Sequence, residues 1–169
     1  MSNDWGAALP DWSSRVSAVW ASADEMAEGD VVSAIDALVA ERPADDAAAV
    51  FEAASVRDYA GLETEAEPLY KRALELGLPT DVEARATIQL ASTLRNLGKV
   101  DESVGMLERL LHAHPADEWT GPAAAFLALA LVSRGSEREA ASVALAALAD
   151  YLPVYGRSVR GYAVELLGR

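Results

Sequence analysis

Residues 91–103 read ASTLRNLGKVDES, and the spacing inside this stretch recurs along the chain. Ala91 stands seven residues before Gly98, and Ser103 stands five residues after it. Gly61 and Gly135 each lie 37 residues from Gly98, and small residues occupy the same offsets around them: Ala54, Ala66, Ala128 and Ala140. A tight turn between helices needs a residue that tolerates left-handed dihedral angles, and helices that nearly touch need small side chains. The pattern therefore predicts a repeated helix–turn–helix unit.

Three prolines predict where the copies end, because a proline cannot continue a helix. They are Pro79, Pro115 and Pro153, and an earlier, weaker copy runs from Gly29 to Pro43. The segments 80–83 and 136–139 read as capping boxes, in which a hydroxyl and a later carboxylate satisfy free amides at a helix start. Together these signals predict helices at about 12–28, 30–42, 45–60, 63–76, 81–97, 100–113, 119–134, 137–151 and 154–167.

We expect a flexible N-terminus over residues 1–11 and a single domain over residues 12–169. The domain begins with a degenerate repeat at about 12–43 and continues with repeats at about 45–79, 81–115 and 119–153. The C-terminal helix, at about 154–167, has no partner in this scheme. Its apolar residues share one face, which predicts a cap that shields the last repeat: Tyr155, Val159, Tyr162 and Leu166.

The repeat resembles the tetratricopeptide repeat, over roughly residues 15–153. Two stretches, Leu69–Leu78 and Ile88–Gly98, are similar to a small bacterial group of such proteins, the group five tetratricopeptide repeats. The resemblance implies an all-α fold, a right-handed superhelix of antiparallel helix pairs. It also implies that the first helix of each pair lines a concave groove, and it implies no defined activity.

One helix of the expected groove, at about 81–97, carries a polar stripe. Arg85, Gln89, Ser92 and Asn96 lie opposite its apolar face, and Arg95 flanks them. Equivalent positions one repeat away extend this surface on both sides: Phe51, Glu52, Ser55, Asp58 and Tyr59 before it, and Ala125, Phe126, Leu129, Val132 and Ser133 after it. In the superhelix that the resemblance implies, these residues line a groove that changes from acidic and aromatic, through basic, to apolar. Such a surface suits an extended peptide with charged and apolar side chains.

Alternatives to this interpretation stay open. A polar stripe on a helix is commonly its solvated face. Asp58 and Arg95 occupy equivalent positions of adjacent repeats, so a pair between them competes with ligand binding. Phe126 and Leu129, with Val132, either form an exposed apolar patch or lie beneath the C-terminal helix or another copy of the chain.

The residue types argue against catalysis and metal binding. The chain has no cysteine, and His112 and His114 are two residues apart, a spacing that points them away from each other on a helix. The sequence contains no glycine-rich phosphate loop and no Gly-x-Ser-x-Gly turn. We therefore expect no catalytic residue, no metal and no cofactor.

Charge and hydropathy narrow the class of partner. The net charge of −13 disfavours nucleic acid, and the excess of acids lies in residues 1–83, which hold 18 acids and 5 bases. The longest apolar run, 123–132, is too short to span a membrane, and the acidic, polar start is unlike a secretory signal. We expect a cytoplasmic protein that does not contact membranes.

The sequence thus predicts a scaffold that binds a peptide segment of another protein in the groove. In this hypothesis Arg85, Arg95 or both bind an acidic side chain or a chain-terminal carboxylate. The alternative hypothesis is a structural protein, for example a homodimer, whose groove or apolar patch mediates self-association.

Overall fold

Helices make up most of the chain in the computed structural model, which describes residues 11–114 and 116–168. They are α1 (Trp12–Ala21), α2 (Glu28–Val39), α3 (Ala47–Tyr59), α4 (Glu63–Leu76), α5 (Thr80–Asn96), α6 (Val100–Ala113), α7 (Thr120–Ser133), α8 (Glu137–Leu148) and α9 (Gly156–Glu165). Single 3-10 turns follow α1, at Ala23–Glu25, and α8, at Ala149–Tyr151. The described residues contain no β-strand, so the fold is all-α, as the sequence predicts.

Neighbouring helices pack as antiparallel pairs, and the pairs stack into a right-handed superhelix. The helix α3 packs with α4, α5 with α6 and α7 with α8. The first helices of these pairs also contact one another, α3 with α5 and α5 with α7. This stacking sets three first helices side by side, and it is the predicted α-solenoid.

Three glycines close the turns inside these pairs in the same way. Gly61, Gly98 and Gly135 have φ angles of 65°, 77° and 81°, in the left-handed region that other residues rarely adopt. In each turn the next amide donates to the carbonyl oxygen five residues earlier, at 2.8–2.9 Å. This hydrogen bond satisfies a carbonyl group that the helix end would leave free.

The small residues of the repeat lie where the paired helices meet. Ala54, Ala91 and Ser103 are fully buried, and Ser103 Oγ donates to the carbonyl oxygen of Ala91 at 2.6 Å, which joins α5 to α6. The equivalent residues of the other pairs, Ala66 and Ala140, are buried as well, and Ala128 is half-buried. The turn glycines and the small residues around them thus occupy equivalent places in the three pairs from α3 to α8.

Three apolar clusters lie among the described residues, and neighbouring clusters share a helix. The first joins α1 to α3, the second α3 to α5 and the third α5 to α8. The helices α3 and α5 each supply buried residues to two clusters, so neighbouring repeats share one continuous core. This shared core holds the first helices in a fixed relation to each other.

The first copy of the repeat differs from the prediction. The sequence predicts one helix at 12–28, but α1 ends at Ala21 and α2 begins at Glu28. Gly29 lies in the first turn of α2 and has no positive φ angle. Ala23 is buried and Met26 packs against the first apolar cluster, so packing turns the chain before Gly29 is reached. The assignment of Gly29 as a turn residue was wrong.

Neither predicted capping box forms. Thr80 is the first residue of α5 and not its cap, and Ser136 precedes α8 without a side-chain hydrogen bond to it. The backbone of Ser136 belongs to the turn at Gly135 and is not extended as an N-cap residue requires. The helices nevertheless start within one residue of the predicted positions.

The C-terminal helix α9 packs on α8 with a face other than the predicted one. Tyr155 and Tyr162 are strongly exposed, whereas Ala163 is buried between the half-buried Val159 and Leu166. A Cβ atom at Gly156 would lie 2.5 Å from the carbonyl oxygen of Ala149, so α9 begins in close contact with the preceding turn. This contact fixes the rotation of the helix and leaves both tyrosines in solvent.

A side chain caps the first helix at the N-terminal end of the described residues. Asp11, expected in a flexible N-terminus, caps α1, because its carboxylate accepts from the Ser14 amide at 2.9 Å. The rest of that predicted segment, residues 1–10, lies outside the described residues, as does Pro115. No described helix combines the length and the hydropathy that crossing a membrane would require.

Candidate functional site

A pocket of about 260 Å³ lies among the first helices of the fold. We call it the α1–α3–α5 pocket, and it is lined by Trp20, Ser55, Asp58, Tyr59, Arg85 and Gln89. All of these except Trp20 are groove residues predicted from the sequence, and the fold brings them together. Sequence reasoning missed Trp20 because α1 lies outside the 37-residue spacing.

Polar atoms at this pocket lack hydrogen-bond partners among the described residues. Ser55 is only 5% exposed and its Oγ is unpartnered, as is the buried Oε1 of Gln89. Behind the pocket, the Oη of the fully buried Tyr70 in α4 lies near Asp58 and Ser55 without a well-formed hydrogen bond to either. Burial raises the pKa of Tyr70, and the negative charge of Asp58 adds to the rise. Buried polar atoms are nearly always hydrogen-bonded, so these atoms indicate a site where water or a ligand supplies the missing hydrogen bonds.

Asp58 carries a half-buried charge at the same pocket. Thr93 Oγ1 donates to its Oδ1 at 2.9 Å. Burial raises the pKa of Asp58, the Thr93 hydrogen bond opposes this rise, and the negative charge of Glu63 adds to it. The pair that the sequence left open, between Asp58 and Arg95, is absent from the described structure. Arg95 Nη2 donates instead to Asn96 Oδ1, at 3.0 Å.

Glu52 lies behind the pocket wall as a buried carboxyl group. It accepts a hydrogen bond from Trp20 Nε1 at 2.7 Å, which holds the indole in place. Burial raises the pKa of Glu52, and both the indole hydrogen bond and the charge of Arg85 oppose the rise. The sequence places Glu52 on the groove surface beside Phe51 and Ser55, but its side chain is buried, because the indole of Trp20 covers it.

Arg85 is exposed and has no ion pair or hydrogen bond among the described residues. Its guanidinium lies over the ring of Phe51, 5.0 Å from the ring centroid. Phe51 itself is 1% exposed and packs against Tyr70, with 6.1 Å between ring centroids. The prediction that Phe51 lines the groove was therefore wrong. Its ring belongs to the core of α3 to α5 and supports the Arg85 side chain.

Three predicted residues of α5 lie outside the pocket. Ser92 and Arg95 are half-buried and Asn96 is exposed. Asn96 Nδ2 donates to Glu63 Oε1 at 3.4 Å. These residues follow Gln89 by up to two helical turns, so they continue the surface of α5 without sharing the pocket.

The apolar part of the predicted groove is open to solvent at α7. Leu129 is 47% and Val132 53% exposed, whereas Phe126 is half-buried against the third apolar cluster. The helix α9 packs on α8 and leaves this face uncovered, so burial beneath the C-terminal helix was wrong. Ala125 shares the face and, with Leu148, lines an apolar groove of about 380 Å³ between α7 and α8.

Comparison with known proteins identifies a family model and solved structures that resemble this chain. A family model for the tetratrico peptide repeat matches residues 47–166. A protein of Podosopora anserina with nearly identical TPR-like repeats, described as a kinesin light chain, is 18% identical, and the match covers 92% of this chain and 91% of that one at a TM-score of 0.68. MamA from Desulfovibrio magneticus RS-1, from residue 41 to its end, is 15% identical, with coverage of 95% and 94% and a TM-score of 0.60.

At these identities the two solved structures show a likeness of fold alone. The chain has no match among curated protein sequences. The family match spans most of the chain and includes the three turn glycines and the small residues around them. On this evidence the chain belongs to the tetratricopeptide repeat family.

Proposed function

We propose that this chain is a non-enzymatic scaffold that binds an extended peptide segment of a partner protein across α3, α5 and α7. One observation carries the proposal. Among the described residues, Ser55 Oγ and Gln89 Oε1 at the α1–α3–α5 pocket have no well-formed hydrogen bond, and the arginine beside them has no ion pair. A surface whose polar groups already bond to one another would have fewer free donors and acceptors for a peptide.

Arg85 is the proposed contact for an acidic side chain or a chain-terminal carboxylate. Its guanidinium presents a planar fork of donors that matches a carboxylate. Contact with Phe51 restricts the side chain before a ligand arrives, so less conformational freedom is lost on binding. Arg95 and Asn96, farther along α5, are proposed to contact the next residues of the peptide.

The double substitution Arg85→Ala, Arg95→Ala tests this contact. Neither arginine forms an ion pair in the described structure, so the free energy of unfolding should fall by no more than about 1 kcal/mol, the size of the lost contact between Arg85 and Phe51. The affinity for a peptide selected on the wild-type chain from a random displayed library should fall at least tenfold, about 1.4 kcal/mol. Fluorescence anisotropy with the labelled peptide measures this affinity, and urea unfolding measures stability.

Arg109→Ala is the matched control for the double substitution. Arg109 is exposed on α6, a second helix of its pair, and forms no ion pair among the described residues. Its replacement should leave peptide affinity unchanged. If the double variant also binds as the wild type does, the polar stripe is ordinary solvated surface and α7 becomes the better candidate.

Self-association is the second candidate function, and the exposure of Leu129 and Val132 favours it. Both side chains lie on the face of α7 that carries Ala125, next to the apolar groove that α7 and α8 form. Exposed apolar surfaces of this kind commonly mark contacts with a partner or another copy of the chain.

A further inference from the structure

The α1–α3–α5 pocket offers hydrogen-bond acceptors from three side chains. Among the described residues the Asp58 carboxylate has one well-formed hydrogen bond, from Thr93, and the Tyr70 hydroxyl lies near it, so Asp58 can still accept hydrogen bonds from a ligand. Gln89 Oε1 can only accept, and the unpartnered Ser55 Oγ can accept as well. Ser55 is more than nine-tenths buried, so these acceptors belong to a built site and not to a solvated surface.

Two aromatic rings form a wall of the same pocket. Trp20 and Tyr59 meet edge to face, with 5.8 Å between ring centroids and 76° between ring planes. The hydrogen bond from Trp20 Nε1 to Glu52 fixes the indole. The electron-rich faces of such rings attract cations, and they attract arginine most often.

The charges around the pocket also favour a cation. Asp58 is half-buried, its neighbour Glu63 is negative, and Asp58 forms no ion pair among the described residues. Arg85 is the opposing positive charge, but it lies over Phe51 and acts on Glu52. Over a longer range, residues 1–83 hold 18 acids and 5 bases, which draws positively charged segments to this half of the molecule.

The pocket has room for one side chain. Its volume of about 260 Å³ lies below the range of roughly 300–1,000 Å³ that drug-sized ligands and cofactors occupy. This volume limits the ligand to about one side chain. The acceptors, the aromatic rings and the charges together favour a side chain that carries a cationic donor group on a flexible stem.

We infer that the α1–α3–α5 pocket is a subsite for the cationic side chain of an arginine or lysine in the bound peptide, with Asp58 as its counter-ion and Trp20 and Tyr59 beside it. The inference rests on the proposed function, since it assigns a residue of the same peptide. Arg85 and Asp58 then recognise neighbouring groups of opposite charge. A guanidinium has five donors in one plane and serves Asp58, Ser55 and Gln89 together, so arginine binds more tightly than lysine.

Small capped amino acids test this subsite without the peptide. The probes are Nα-acetyl-arginine methylamide, its lysine counterpart and, as the neutral isostere of arginine, the citrulline counterpart. Each is titrated into the isotope-labelled full chain while the NMR signals of the Trp20 indole and the Tyr59 amide are followed. The arginine probe should shift both signals saturably, the lysine probe should do so more weakly, and the citrulline probe should leave them in place.

Asp58→Asn removes the charge while keeping an acceptor for Thr93. This variant should bind the arginine probe at least about tenfold more weakly. Asp45→Asn is the matched control, because Asp45 is exposed in the same acidic half and outside the pocket, and it should bind as the wild type does. Thermal unfolding of both variants establishes that they are folded.

Equal binding of the arginine and citrulline probes, or wild-type binding by Asp58→Asn, would overturn the inference. Signals that move only outside the pocket would overturn it too. The probes carry no carboxylate, so their result is independent of the contact proposed for Arg85. Loss of peptide affinity on replacing the arginines, with no response to the probes, would leave the scaffold in place and remove the subsite alone.

Discussion

Glu52 is a buried carboxyl group whose negative charge is only partly compensated. The Trp20 indole donates to it and Arg85 acts on it from α5, but burial still raises its pKa. The folded chain therefore binds this proton more tightly than the unfolded chain does. By linkage, the contribution of Glu52 to the free energy of unfolding is largest below the ordinary glutamate pKa and is lost as the pH rises through the raised pKa.

Glu52→Gln removes this titration and keeps an oxygen that can accept from Trp20 Nε1. The variant should be more stable than the wild type at neutral pH, and the difference should vanish at acid pH, where both side chains are neutral. Thermal unfolding at a series of pH values measures it. Glu41→Gln is the control of opposite sign, because the Arg15 hydrogen bond lowers the pKa of Glu41 and stabilises its charged form. Superimposable pH profiles for Glu52→Gln and the wild type would contradict this account.

The burial of the neighbouring Phe51 could not be predicted from the sequence. The sequence assigns Ser55, Asp58, Tyr59, Arg85 and Gln89 to one surface because positions 37 residues apart are equivalent, and these five residues line one pocket. It does not predict where the adjacent helix covers the edge of that surface. Phe51 and its equivalent Ile88 are buried at this edge, and only the packed structure distinguishes them from the exposed positions.

Local sequence signals predict where the helices from α3 to α8 begin and end. A left-handed glycine turn and a buried small residue recur in each pair, and these local requirements can be read without tertiary information. The link from α1 to α2 lacks such a glycine and depends on the burial of Ala23, which no local signal predicts. The rotation of α9 likewise depends on the contact between Gly156 and Ala149.

Ala91→Phe tests the close packing of α5 on α6. Ala91 is fully buried, and its carbonyl oxygen accepts from Ser103 across the pair, so the added ring must push the two helices apart. Overpacking of this kind should lower the free energy of unfolding by about 1–3 kcal/mol or more. Urea unfolding measures the change, and Ala141→Phe, at an exposed position of α8, is the control that should have little effect. Wild-type stability of Ala91→Phe would mean that the repeat register is wrong.

The two ends of the molecule differ in charge and in exposed apolar surface. The excess of acids and the α1–α3–α5 pocket lie toward the N-terminal end, whereas α7 exposes apolar side chains toward the C-terminal end. Since the shared core holds α3, α5 and α7 side by side, a peptide that lies across all three meets both kinds of surface. A basic segment near the pocket and an apolar segment near α7 would then fix the direction in which the peptide binds.

Self-association through α7 gives a prediction at this scale, because it changes the mass of the particle in solution. A stable interface buries more than about 1,000 Å², so Leu129 and Val132 must act together with the apolar groove beside Ala125 and Leu148. If this face joins two chains, light scattering of the wild type should give a mass above that of one chain, and the mass should rise with protein concentration.

The double substitution Leu129→Ser, Val132→Ser should reduce the mass to that of one chain. Both residues are exposed within the chain, so stability should stay within about 0.5 kcal/mol of the wild type when compared at low concentration. Leu62→Ser is the matched control, since Leu62 is similarly exposed but lies in the turn before α4. A wild-type mass of one chain at every concentration would exclude self-association by this face. The exposed α7 side chains would then be contacts for the peptide. In that case the same double variant should bind the peptide with lower affinity.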